Sequence, residues 1–280
     1  MVAHQLRRRS GRGRFGTRRP ANGRLMAGLA RAGLAARGAM YILIGVIAVQ
    51  IAIGSGHHQA DRSGAVRLVA STPFGSLILW LLVIGFAGMT LWRLSEAAFG
   101  AVGPDGSKPV KRVANLARGV FYGIVTFGIL KYALGIGAPS SSDRTSRDLT
   151  ATALHHPGGQ LVVIVAGLGF VAAGIYVAYR ALTAKFERRL RMSGTSAATQ
   201  VSVRRLGQVG GIARGIVFAT VGVFLLIAAF SDQPHKAKGI DSALRALART
   251  PFGPLLLIIV AAGLVIFGIY SFCEARWRQV

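Results

Sequence analysis

Six runs of mostly apolar residues alternate along this chain with shorter stretches where charges and turn-forming residues gather. They are read at Gly38–Gly54, Phe74–Leu94, Gly119–Gly137, Gly159–Ala181, Ile212–Phe230 and Phe252–Phe272. A bilayer core of about 30 Å takes about 20 helical residues, so each run has the length of a membrane span. Backbone groups in lipid must be satisfied within one helix or a closed barrel. A barrel would place polar residues at alternate positions, and these runs do not. The pattern predicts an all-α membrane protein with six transmembrane helices.

The spans repeat in pairs. Before the odd ones stand Ala36-Arg37-Gly38, Ala117-Arg118-Gly119 and Ala213-Arg214-Gly215, each with an aromatic four residues past its arginine (Tyr41, Tyr122, Phe218). The even ones open with Thr72-Pro73-Phe74-Gly75, His156-Pro157-Gly158-Gly159 and Thr250-Pro251-Phe252-Gly253. Twelve residues after each proline comes a glycine (Gly85, Gly169, Gly263), and seven further on an aromatic (Trp92, Tyr176, Tyr270). Three tandem two-helix repeats are expected in a pseudo-threefold arrangement, over residues 30–100, 111–190 and 206–278. Pro73, Pro157 and Pro251 read as helix starts, with threonine hydroxyls as caps in the first and third repeats. The glycines read as points of close helix approach, and the aromatics near helix ends as headgroup-level anchors.

Composition sharpens this. Over 280 residues the chain is 52% hydrophobic and only 15% charged, too little charge to clothe a soluble domain of this size. The single cysteine, Cys273, excludes a disulfide framework or thiolate zinc site within one chain. Thirty-four Lys and Arg against nine Asp and Glu leave +25. Twenty-four of the basic residues fall on the side of the spans that holds both termini and eight on the other, so both termini are expected in the cytoplasm. Residues 1–29 read as a disordered polybasic tail that rests on anionic lipid headgroups. With no fold and little aromatic content, that tail does not suggest nucleic acid as a partner.

Two-helix units with Ala-Arg-Gly before the first helix and Thr-Pro-Phe-Gly before the second resemble a bacterial membrane family, domain of unknown function 1206. The resemblance runs from about Ala30 to Arg276. It implies an integral protein of the bacterial cytoplasmic membrane built from three repeats, and it brings no activity, substrate or catalytic residues. Repeat two departs from the pattern, with His156-Pro157-Gly158-Gly159 at its start and Arg180 where the others carry Glu96 and Glu274.

Charge within spans needs partners. Glu96 and Glu274 are expected to pair with Arg37, Arg118 or Arg214 as an interhelical clamp, with Arg180 the odd member. Lys131 is expected to snorkel outward. Arg93 shares a helix face with Glu96 and could pair there or reach lipid phosphate. Gln50, Lys131, Thr126 and Thr90 are the candidates for lining a polar path. His57, His58, His155, His156 and His235 cluster in the connecting loops, where adjacent imidazoles diverge, so no metal is expected. The connections before the helix starts read as short amphipathic turns closing the bundle like a lid, the middle one most weakly. No catalytic motif appears, so no enzyme activity and no cofactor are expected. The leading reading is a structural or accessory bundle with the bilayer, and a possible membrane protein, as partners. The alternative is a transporter of a small solute, ion or lipid, or a lipid-binding protein, with a path or groove between the repeats.

Overall fold

The computed structural model describes residues 23–55, 58–101, 108–187, 190–192 and 194–278. Residues 1–22 of the basic tail and His57 lie outside the described residues. The described helices are α1 (Gly23–Ala52), α2 (Arg62–Ala70), α3 (Gly75–Phe99), α4 (Pro109–Ala133), α5 (Ser142–Leu154), α6 (Gly159–Leu182), α7 (Ala197–Phe230), α8 (Ile240–Ala248) and α9 (Gly253–Trp277). Six of them, α1, α3, α4, α6, α7 and α9, are long and apolar enough to cross a membrane. Gly38 lies against Gly268, and Gly45 against Ala261, so α1 and α9 run antiparallel. Gly23 and Trp277 therefore reach the same end of the bundle, the terminal end. The short helices α2, α5 and α8 occupy the other, the loop end.

The odd helices begin earlier than their apolar runs. Residues 23–29 are the first turns of α1, although the sequence suggests a disordered tail to residue 29. They have a surface to bury: the α1 backbone at Leu29 lies against Gly88, and Gly33 packs on Met89. Tertiary contact extends a helix that local composition would let fray.

Repeats join one another more broadly than they hold themselves together. The widest interfaces are α3 with α4, α6 with α7, and α9 with α1, each between consecutive repeats. Within repeat one α1 packs on α3, and within repeat three α7 packs on α9. In repeat two, α4 and α6 form no extended interface. The ring is open there, and the glycines show how. A Cβ on Gly85 would strike Ala36, and one on Gly263 would strike Ala213. Each of these alanines belongs to its own repeat's Ala-Arg-Gly. The corresponding Gly169 has nothing within 4 Å, and its would-be partner Ala117 is exposed. The aromatics follow suit: Trp92 and Tyr270 are buried, contrary to the headgroup-anchor expectation, while Tyr176 is exposed.

The helix starts depart from the sequence reading. Thr72 and Thr250 hydroxyls donate back to the carbonyls of Val69 and Leu247, closing α2 and α8 instead of capping the next helix. Pro73, Pro157 and Pro251 sit inside a tight turn closed by Gly75 N to Thr72 O, Gly159 N to His156 O and Gly253 N to Thr250 O. The long helices begin two residues after the prolines, at those glycines. A Cβ on Gly75, Gly159 or Gly253 would collide with the carbonyl of Val69, Ala153 or Ala248. The motif thus encodes a corner between a short helix and a long one.

At the loop end three buried aspartates close a ring through all three repeats. Asp61 Oδ2 accepts from Ser142 N (2.6 Å) and Ser142 Oγ (2.9 Å). Asp143 Oδ1 accepts from Gly239 N (2.7 Å), and its Oδ2 from Ser242 Oγ (2.5 Å). Asp241 Oδ1 accepts from Ala60 N (2.7 Å), completing the circuit. Burial pushes the Asp241 carboxyl up, opposed by the Ala60 amide and Arg245. The middle connection is no weaker version: α5 has 13 residues and an N-cap from Ser141. Ala60, Val66 and Val69 share one buried cluster with Ile44 and Ile47 of α1, Tyr122, Val125 and Ile129 of α4, and Val217 of α7. Side chains fill the axis.

Candidate functional site: arginines around Tyr122

Arginines are the functional side chains that the long helices carry inward, and their neutralisation is uneven. Arg37 donates from Nε and Nη2 to Ser271 Oγ (3.3 and 3.1 Å) and forms an ion pair with Glu274. Glu274 also accepts from Arg278 Nη1 at 2.9 Å. One buried carboxylate thus holds two guanidiniums, one from α1 and one just past α9. Glu96 does not take a motif arginine, as the sequence suggested; it binds Arg93 at 2.8 Å, three residues earlier on its own helix. At that spacing the two side chains share a face and need no cross-helix geometry. Arg93 and Arg278 both lie over the Trp92 ring, 4.0 and 4.8 Å from its centroid.

The other two motif arginines lack a bonded carboxylate. Arg118, exposed on α4, donates to Asn115 Oδ1 at 3.2 Å, and Glu96 acts on it only through space. Arg214 rests against the rings of Tyr41, Phe218 and Phe267 at 5.7, 4.8 and 5.1 Å. Its Nε is buried without a hydrogen-bond partner, as is that of Arg93. By the repeat register Arg214 should meet a carboxylate on α6, but Arg180 stands there, over Tyr176.

A further guanidinium comes from the loop end. Arg62, the first residue of α2, is half-buried and stacks 4.8 Å from the centroid of Phe121 on α4. Tyr122 is buried and stacks on Phe86, and Arg37, Arg93 and Arg214 act on its hydroxyl through space, while Asp61 acts on Arg62 in the same way. Arg62, Arg118 and Arg214, from repeats one, two and three, have no bonded carboxylate among the described residues, although Asp61 acts on Arg62 and Glu96 on Arg118 through space. The sequence reading missed Arg62 because nothing in its local pattern separates it from a solvated loop arginine.

Other candidates do not assemble. Thr90 and Thr126 oxygens lie 3.4 Å apart across α3 and α4, each also donating to the carbonyl four residues back. Lys131 is exposed near the end of α4, over Phe127. Gln50 is half-buried near the loop end of α1, thirteen residues beyond Arg37 at the middle of that helix. The four do not line one passage, because the axis between them is packed with apolar side chains. Among the described residues no three His, Cys, Asp or Glu side chains gather as a metal site. Two clefts lie at the terminal end: one of about 470 Å³ beside Glu187 and Arg204, the other of about 510 Å³ beside Arg31 and Trp277.

The model of the family described as Domain of Unknown Function (DUF1206) matches residues 32–100, 113–184 and 209–278, one match per repeat. The chain is also 30% identical over 252 residues to the uncharacterized protein YxxB of Bacillus subtilis (strain 168), covering 89% of this chain and 90% of that protein. No solved structure matches.

Proposed function

The chain belongs to the DUF1206 family, and from that premise we propose that it is a non-enzymatic accessory bundle of the bacterial cytoplasmic membrane. Both termini face the cytoplasm, and the bundle holds another membrane component in its open side. The observation that carries this reading is the seam of repeat two. Ala117 and Gly169 keep the register by which Ala36 meets Gly85 and Ala213 meets Gly263, yet they stand apart. Faces built for close packing and left apart in lipid are a place for something else to pack. The filled axis favours this over a central transport path. The basic tail would hold the terminal end against anionic headgroups, and nothing in the chain calls for nucleic acid or a cofactor.

The test is to release the protein gently from its native membrane and weigh it intact by native mass spectrometry. A reproducible bound component is expected, lost when Gly169→Leu fills the seam. A bare chain in every preparation rejects the proposal.

A further inference from the structure

We infer that the cleft between the terminal ends of α1 and α9 binds one anionic phospholipid, its headgroup taken by Arg31 and Arg276. The cleft holds about 510 Å³ and is lined by Arg31, Phe272, Ala275, Arg276 and Trp277. Small-molecule sites commonly hold about 300–1,000 Å³. The surface is separate from the opening between α4 and α6, and the inference does not rest on that opening.

The α1–α9 seam runs in steps of seven residues, about two helical turns. A Cβ on Gly45 would meet the Ala261 carbonyl at 2.8 Å, and one on Gly38 the Gly268 carbonyl at 2.8 Å. The next step along both helices reaches Arg31 and Ala275, which line the cleft together. Glycine lets the backbones touch at the first two steps, and arginine prevents it at the third. The far side of the cleft is held in place. The Arg191 amide donates to the Trp277 carbonyl at 2.8 Å, and buried Glu274 ties the last turn of α9 to Arg37 and Arg278. A site held in place before binding loses less freedom when it is filled.

Charge selects an anion. Two guanidiniums line the cleft and no carboxylate does. Among the described residues neither Arg31 nor Arg276 has a carboxylate partner, and neighbouring Glu274 is committed to Arg37 and Arg278. Arg276 rests 5.8 Å from the centroid of the Trp277 ring. Forked guanidinium donors suit the oxygens of a phosphate. The apolar wall selects a lipid. Phe272 lies against Gly38 and is exposed, Ile269 is exposed one turn further in, and Val265 lies against Gly45. At spacings of three and four these residues form a stripe from the cleft toward the middle of the spans. A free phosphate gains nothing from that stripe, whereas an acyl chain is buried along it. A zwitterionic lipid brings the same phosphate with a cation that the two arginines repel.

The experiment titrates the full-length protein in detergent with phosphatidylglycerol or phosphatidylcholine of matched chains, read by native mass spectrometry. One phosphatidylglycerol is expected, held at least about fivefold more tightly than phosphatidylcholine. Arg31→Gln and Arg276→Gln, both at exposed side chains, should each weaken it about fivefold or more, the scale of one basic residue beside an anionic headgroup. Arg144→Gln, at the loop end, should leave binding unchanged, and so should Gly169→Leu. All four variants keep the basic tail. Equal binding of the two lipids, or indifference to Arg31→Gln and Arg276→Gln, overturns the inference. Displacement of the lipid by millimolar inorganic phosphate also overturns it, since the site would then serve a free anion. Loss of the lipid in Gly169→Leu would place it in the opening of repeat two, ending this inference while leaving the accessory reading intact.

Discussion

Glu274 is buried, and two guanidiniums depend on it. Its side chain is 11% exposed, and those of Arg37 and Arg278 are 8% and 7%. Removing one member of a buried ion pair leaves the other charge uncompensated, at a cost of about 3–5 kcal/mol. Glu274→Gln is therefore expected to lower the unfolding free energy in detergent by about that amount. Arg144 and Asp148 form a pair whose side chains are 79% and 69% exposed. Arg144→Gln should change stability by no more than about 0.5 kcal/mol, as exposed pairs do. Chemical denaturation of the two variants side by side checks both expectations, and equal losses would mean that burial does not set the value of these pairs. The Glu274 partnership was half legible beforehand: the repeat register brings Arg37 and Glu274 to similar depth, but Arg278 and Ser271 enter only through the fold.

The three register glycines separate sequence from packing at the scale of the helix. Gly85, Gly169 and Gly263 stand twelve residues after their prolines and look equivalent. Gly85 and Gly263 touch the alanine of their own repeat's odd helix, and Gly169 touches nothing. Overpacking a tight interface costs about 1–3 kcal/mol, and more where the neighbour is backbone. Gly85→Leu and Gly263→Leu should each lower the melting temperature by several degrees, while Gly169→Leu leaves it within about one degree. If all three melted alike, the asymmetry of the ring would not persist in solution. The corners are a second case. Their glycine was visible in each repeat, yet its reason, a carbonyl of the preceding short helix pressed against it, exists only once both helices are placed.

For the whole molecule, the bundle closes differently at its two ends. The loop end is tied by Asp61, Asp143 and Asp241, each reaching into the next repeat. The terminal end is held by charge and left open between α4 and α6. The proposed orientation rests on the basic residues that crowd the terminal end. In a Cys273→Ser background, a cysteine placed at Ala138 should react with a membrane-impermeant thiol reagent on intact cells. One placed at Ala3 should react only after the membrane is opened. The reverse pattern would invert the topology.

Unlike the early starts of the odd helices, helix number, the loop-end limits of the spans, the threefold repeat and the exceptional status of its second unit all follow from the order of residues. They rest on local quantities: span length, period, and the reluctance of charge to enter lipid. The aspartate ring was not legible, because Asp61, Asp143 and Asp241 precede their prolines by 12, 14 and 10 residues and so break register. Nor was the opening between α4 and α6, since Ala117 and Gly169 carry the same small-residue signal as the pairs that do meet. Which like-looking surfaces touch is a property of six helices packed at once, where satisfying five interfaces decides the sixth. Only the tertiary structure could show that Glu274 serves two arginines while the Arg214 Nε is left without an acceptor, because proximity in space belongs to no single stretch of sequence.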